Sequence, residues 1–181
     1  MQITGGFLKS RKIESPKGDN VRPTLSQVRE SIFSSLFSII DFKNKNFLDL
    51  FAGSGIMGLE AISRGFEHSC FVEKDKKTFF TLKSNIQKLN LPSTQTSLLL
   101  GDSTKILKKL TQSFDVIYID PPYQSGLYDI VLDEITEHNI LKDNGIVIAE
   151  HPKDLILNFN NYELIKQKTY ADKTITFLKQ I

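Results

Sequence analysis

At 181 residues, 40% of them hydrophobic and 24% charged, the chain has the size and apolar content of one soluble domain and is neither disordered nor fibrous. No apolar run approaches the roughly 20 residues that cross a bilayer, no hydrophobic signal core opens the chain, and the single cysteine, Cys70, excludes an internal disulfide or a multi-cysteine metal site. The expected setting is the cytoplasm. Net charge is only +2, but residues 1–29 place Lys9, Arg11, Lys12, Lys17, Arg22 and Arg29 against Glu14 and Asp19, a local net of +4. That asymmetry fits a basic nucleic-acid-binding arm, residues 1–24, within a single domain spanning 1–181.

Gln2 to Glu14 alternates loosely around Gly5-Gly6 and predicts a small β-hairpin or extended arm. Pro16, Gly18, Asp19 and Asn20 mark a loop, after which Arg22-Pro23-Thr24 opens a helix capped by Thr24 with Gln27 three residues on. Leu25, Val28, Ile32, Leu36 and Ile39 give that helix one apolar face. From Asn46 onward strands alternate with helices. The strands are predicted near 46–51, 69–73, 96–100, 114–119 and 145–150, and the helices near 55–64, 75–90 and 126–138. Repeated βαβ units imply a mostly parallel sheet covered on both faces. Tyr162 to Tyr170 and Lys173 to Lys179 then form an antiparallel hairpin. The expected fold is α/β, a Rossmann-like class I methyltransferase sheet with a small N-terminal extension.

Two stretches carry the chemistry. Asn46-Phe47-Leu48-Asp49-Leu50-Phe51 runs into Ala52-Gly53-Ser54-Gly55-Ile56-Met57-Gly58, where glycines allow a tight turn and close approach of a ligand. The Gly-x-Gly-x-x-Gly pattern alone also matches a dinucleotide fingerprint. Glu73, ending the second strand, suits ribose hydroxyls in either case. Asp49, by contrast, suits the ammonium of a methionine moiety and would repel a pyrophosphate. Asp102, after the third strand, is placed to accept an adenine amine. The plainer role for each carboxylate is a helix cap or a solvated loop end.

The second stretch is Asp120-Pro121-Pro122-Tyr123, directly after Phe114-Asp115-Val116-Ile117-Tyr118-Ile119. Two prolines cannot donate ladder hydrogen bonds, so the strand must stop there. The stop leaves a carboxylate, a carbonyl and an aromatic ring at a strand's carboxyl end, where open α/β sheets bind ligands. Asp120 Oδ and the Pro121 carbonyl can each accept one N–H of a planar amine, aiming its lone pair at a methyl carbon. Tyr123 would stack on the base, a contact worth roughly 1–3 kcal/mol. An amine of this kind is out of reach within a duplex, so the base must be unpaired or flipped.

The chain resembles the RsmD family of bacterial methyltransferases, which modify the 2-amino group of one guanine in 16S ribosomal RNA. The resemblance lies in Ile3-Thr4-Gly5-Gly6, Arg11-Lys12, Arg22-Pro23-Thr24, Val28-Arg29-Glu30, Leu48 to Gly55, Gly58-Leu59-Glu60-Ala61 and Asp120-Pro121-Pro122-Tyr123. It implies that Asp120, Pro121 and Tyr123 hold the guanine. It implies further that Asp49, Phe51, Gly53, Gly55, Glu73, Asp102, Ser103 and Thr24 bind S-adenosylmethionine. Arg22 and Thr24 would lie over the active site, and Arg11, Lys12, Arg22 and Arg29 would contact RNA. The implied partner is 16S rRNA, free or in a partly assembled small subunit, with no membrane and no metal.

Other readings stay open: an amine methyltransferase acting on DNA or protein, an NAD-dependent dehydrogenase, or a non-catalytic RNA-binding factor on the same fold. His68, His138 and His151 lack ligand spacing and are expected at the surface or in loops. Cys70 is expected buried and inert, Phe79 and Phe80 in the core, and Lys74, Lys76 and Lys77 on a solvated helix start.

Overall fold

The computed structural model describes residues 1–15, 26–122 and 126–181. Within them the chain runs α1 (Ser26–Phe37), β1 (Asn46–Asp49), α2 (Ile56–Ser63), β2 (His68–Glu73), α3 (Lys76–Lys88) and β3 (Thr96–Leu100). It continues through α4 (Ser103–Leu107), β4 (Phe114–Ile119), α5 (Leu127–Glu137), β5 (Leu141–Pro152), β6 (Tyr162–Thr169) and β7 (Lys173–Gln180). The strands form one sheet in the order β3-β2-β1-β4-β5-β7-β6. The first five are parallel, and β7 runs antiparallel between β5 and β6. The expected mostly parallel sheet with an antiparallel C-terminal hairpin is therefore present.

The chain leaves β1 toward β2 and β3 on one side and resumes at β4 on the other. That reversal is the switch point where open α/β sheets form a ligand crevice. Asp49 and Asp120 sit at the carboxyl ends of the two strands that flank it.

Side chains alternate across the sheet, so two apolar layers result. Phe47, Val116, Tyr118, Ile146, Ile148, Ile175 and Phe177 face the N-terminal segment, α1, α2 and α3. Leu48, Ile117, Ile119, Val147 and Leu178 face α4 and α5. On α1, Val28, Ile32 and Leu36 are buried as their spacing predicts. Each such side chain contributes about 1.5–3 kcal/mol relative to exposure. Cys70 is buried, and burial first, then the nearby Asp49 carboxylate, push its thiol up to about 12.

The N-terminal segment is pinned to the body. Among the described residues its strand pairing is one bridge, Gln2 to Lys12, while Ile3, Leu8 and Ile13 are buried. The Glu60 carboxylate of α2 accepts the Thr4 amide at 2.9 Å, the Thr4 hydroxyl at 2.7 Å and the Gly5 amide at 2.8 Å. Ser63 adds two bonds, donating to the Gly5 carbonyl at 2.5 Å and accepting the Leu8 amide at 2.8 Å. Gly6 has φ +75° and a Cβ there would lie 1.6 Å from the Ser63 carbonyl, so no other residue fits.

Two expectations need correction. Phe80 is 54% exposed and Phe79 only half-buried, because the buried face of α3 runs through Leu82, Asn85 and Ile86. His151 is a buried strand residue whose ring bonds the Thr176 hydroxyl and the Pro152 carbonyl, both at 2.9 Å. His138, by contrast, lies at the surface as expected, just past the end of α5 and 3.1 Å from Glu134, a carboxylate that Lys108 also pairs with at 2.9 Å.

Candidate active site

The β1 strand ends on Asp49, and the following turn is closed by the Gly55 amide donating to the Ala52 carbonyl at 2.7 Å. Gly53 and Gly55 have φ of +54° and +83°, a backbone region that side chains disfavour. Among the described residues, a Cβ on Gly53 would meet nothing within 4 Å. Gly55 and Gly58 are glycine for packing, since Cβ atoms there would lie 2.3 Å from the Leu82 and Phe71 side chains. The turn thus presents bare backbone outward while α2 packs close to β2.

Asp49 is 1% exposed. Its Oδ2 accepts the Gly58 amide at 3.3 Å, and its Oδ1 has no hydrogen-bond partner among the described residues. Burial drives the carboxyl up to about 7, the Glu73 carboxylate adds to the rise, and the Gly58 and Phe51 amides oppose it. A buried carboxylate oxygen with nothing to bond is costly. It suits a cationic ligand group that neutralises and desolvates it together. Asp49 therefore fits a methionine ammonium and does not fit a pyrophosphate.

Glu73 ends β2 with Oε2 accepting the Gly53 amide at 2.9 Å and Oε1 accepting the Asp75 amide at 2.8 Å. It ties the glycine turn to the start of α3, and each oxygen retains a lone pair for a ribose hydroxyl. The Gly101 amide donates to the Glu73 carbonyl at 2.9 Å, which brings the end of β3 alongside. Asp102 there is a helix cap: its Oδ1 accepts the Thr104 hydroxyl at 2.6 Å and the Thr104 amide at 3.1 Å. The Thr104 hydroxyl is the main reason its carboxyl lies below the usual range. The cap engages Oδ1 only. Ser103, the first residue of α4, is buried, and Phe51 is half-buried against the α4–α5 layer.

β4 stops at Ile119, as the proline pair requires, leaving Asp120 partly exposed and Pro121 buried. Enclosure pushes the Asp120 carboxyl well above the usual carboxylate range; the Glu150 and Asp49 carboxylates push the same way and Lys173 opposes them. Glu150 and Lys173 carry no signal that the sequence reading used. They form a buried ion pair, and Tyr118 donates its hydroxyl to Glu150 Oε2 at 2.7 Å. Asp49, Gly53, Gly55, Glu73, Asp102, Ser103, Asp120 and Pro121 thus gather along one carboxyl edge of the sheet. Tyr123, Thr24 and Arg22 lie outside the described residues.

Arg11 and Lys12 are exposed, with Arg11 Nη2 donating to the Lys88 carbonyl at 3.3 Å. Arg29 does not stand with them. It is 1% exposed, donates to the Gln2 carbonyl at 2.8 Å and lies against Glu60. The expected phosphate contact by Arg29 is therefore corrected to a buried structural role, because its guanidinium points inward at the carboxylate that anchors the N-terminal segment. Lys74, Lys76 and Lys77 are exposed at the start of α3, as expected.

Residues 1–179 match the family model described as conserved hypothetical protein 95. The chain is 39% identical over 168 residues to "Ribosomal RNA small subunit methyltransferase D" of Buchnera aphidicola subsp. Acyrthosiphon pisum, covering 92% of this chain and 86% of that one. It is 34% identical to the protein of the same name from Haemophilus influenzae, covering 93% and 88%. Among solved structures, the candidate methylase HI0767 of Haemophilus influenzae superposes with a TM-score of 0.84 at 30% identity, over 99% of this chain and 98% of that one.

Proposed function

The chain belongs to the conserved hypothetical protein 95 family, the RsmD family of the sequence resemblance, and from that premise we propose that it methylates the 2-amino group of a guanine in small-subunit 16S ribosomal RNA. The observation that carries the reading is the pairing of two carboxylates across the switch point, Asp49 with an unpartnered buried oxygen and Asp120 on a proline-stopped strand end.

S-adenosylmethionine, when bound, supplies an electrophilic methyl on a sulfonium. Asp49 would hold its ammonium, Glu73 its ribose and the outer oxygen of Asp102 its adenine amine. Asp120 and the Pro121 carbonyl would accept the two N–H bonds of the guanine amine. That arrangement draws the nitrogen toward sp3 character and directs its lone pair at the methyl. The nitrogen becomes cationic in transfer, and the adjacent carboxylate stabilises it. A carboxyl whose affinity for protons is raised is also suited to take the proton that the nitrogen releases. Tyr123 would stack on the base. Exposed Arg11 and Lys12 favour an RNA substrate over a small amine, since phosphate contacts are the natural use of a basic surface segment.

The test is mass mapping of 16S rRNA from a strain lacking this protein, with methyl transfer restored in vitro by the purified chain. Loss of one guanine methyl group and its restoration are expected. An unchanged 16S modification pattern would overturn the reading.

A further inference from the structure

The sheet brings three carboxylates to one corner. Asp49 registers with Tyr118 on one side, and Ile148 registers with Tyr118 on the other. Asp120 follows Tyr118 by two residues and Glu150 follows Ile148 by two, so all three carboxylates share the face of Tyr118. Like charges this close favour protonation of one another. The hairpin strand β7 supplies a cation: Ile175 registers with Glu150, and Lys173, two residues away on the same face, pairs with Glu150 Oε1. The Lys173 and Glu150 side chains are 4% and 2% exposed. Burying an ion pair this fully gives little net stability compared with apolar residues of similar size. Its placement beside Asp120 calls for a role other than holding the sheet together.

We propose that Lys173 is a positioning residue for Asp120: paired with Glu150 and backed by the Tyr118 hydroxyl, it sets one positive charge behind the carboxylate that receives the target amine. The proposal rests on the reading of Asp120 as that receiving group. In the transfer, the sulfur–methyl bond breaks with its electron pair left on sulfur, which becomes a neutral thioether. The nitrogen–methyl bond forms from the amine lone pair, and the cationic nitrogen then gives one proton to the Asp120 carboxylate or to water. Asp120 accepts the incoming N–H best when ionised, because a protonated carboxyl gives one oxygen over to donation, accepts more weakly through the other and can take no further proton. Asp49 from β1 and Glu150 from β5 both favour the protonated form, and Lys173 from β7 opposes them. Tyr118 from β4 is engaged with Glu150, and Arg29 from α1 is held against Glu60, with Arg29 Nε 3.7 Å from Glu60 Oε2. Lys173 thus offsets part of that rise and favours the ionised, accepting form of Asp120 when the amine arrives.

The test reads the Asp120 side chain directly, by carbon-13 NMR titration of the full chain without RNA, and then follows the acid limb of the methyl-transfer pH profile. Lys173→Met is expected to move the Asp120 midpoint up by about one pH unit, and Glu150→Gln to move it down by a similar amount. The acid limb should follow each shift, with turnover near neutral pH reduced about tenfold in Lys173→Met. A merely structural pair would move both variants the same way or not at all, and either result overturns the proposal. Should one variant fail to fold in thermal melts, the sign of the other still decides. Because the titration needs no RNA, a wild-type chain inactive on 16S rRNA would sink the proposed function while the NMR shifts still judged Lys173.

Discussion

Arg29 Nε lies 3.7 Å from Glu60 Oε2 with both side chains buried, so a basic residue of the N-terminal region points into the molecule. Glu60 also accepts Arg64 Nε at 2.9 Å and the Thr4 and Gly5 amides, and it is the hub that fastens residues 3–5 to α2. Glu60→Ala strips Arg29 of this counterion inside the protein, and a loss of about 3–5 kcal/mol is expected in urea unfolding. Arg29→Met is expected to leave the salt dependence of RNA binding as in the wild type, which a filter-binding series checks.

The exposed pair behaves in the opposite way. Arg11→Ala combined with Lys12→Ala should leave the melting temperature nearly unchanged and weaken RNA binding. If each contacts one phosphate, the slope of log affinity against log salt should flatten by about 1.5. An unaltered slope would remove these residues from the interface.

On the proposed reading, Asp49 links the cofactor site to pH. Its folded value of about 7 stands above the ordinary 3.8, so the native state binds more protons than the unfolded chain between those values. Stability from this group is present in full at low pH and is lost as pH rises through about 7. Asp49→Asn, which cannot ionise, should match the wild type in calorimetric melts only below about pH 3.8, and exceed it increasingly up to about pH 7 and in full above it. The same variant should bind S-adenosylmethionine at least tenfold more weakly. In the wild type, that affinity should rise from pH 6 to pH 8, with proton release detectable in buffers of different ionisation enthalpy.

Asp120→Ala is expected to lower methyl transfer by at least 100-fold while S-adenosylmethionine affinity changes less than about threefold. The reason is that the removed group would touch the amine and the developing nitrogen charge, which exist only with substrate bound. Equal losses in both measurements would place Asp120 in cofactor binding instead.

Much of this site is legible from residue order because its signals are local. Pro121 and Pro122 stop β4 by lacking amide protons, and Gly53 and Gly55 mark the turn by its positive φ. Alternation locates the strands within one or two residues, except that β5 begins four residues earlier than expected, at Leu141. What escapes is set by distant pairing. Glu150 and Lys173 are 23 residues apart and meet only because β7 folds back on β5. Arg29 looks like one more member of a basic run until Glu60, 31 positions later, draws it inward. A hint was present, since Glu60 is the only charged residue in Ile56–Ser63, a helix buried throughout. Likewise Asp102-Ser103-Thr104 spells a helix cap that the short α4 confirms.

The eight-residue α2 also serves as a ruler. Its first turn grows out of the glycine loop, and its last turn grips the segment that carries Arg11 and Lys12. About 12 Å of rigid rod therefore separates the two. On the proposed reading, α2 is one of the elements that fixes how far a phosphate held by that segment lies from the reacting base. Inserting one residue within α2 would swing its two ends by about 100° relative to each other. The cofactor could still bind and the basic segment could still meet phosphates, yet the base delivered to Asp120 would be displaced from the methyl.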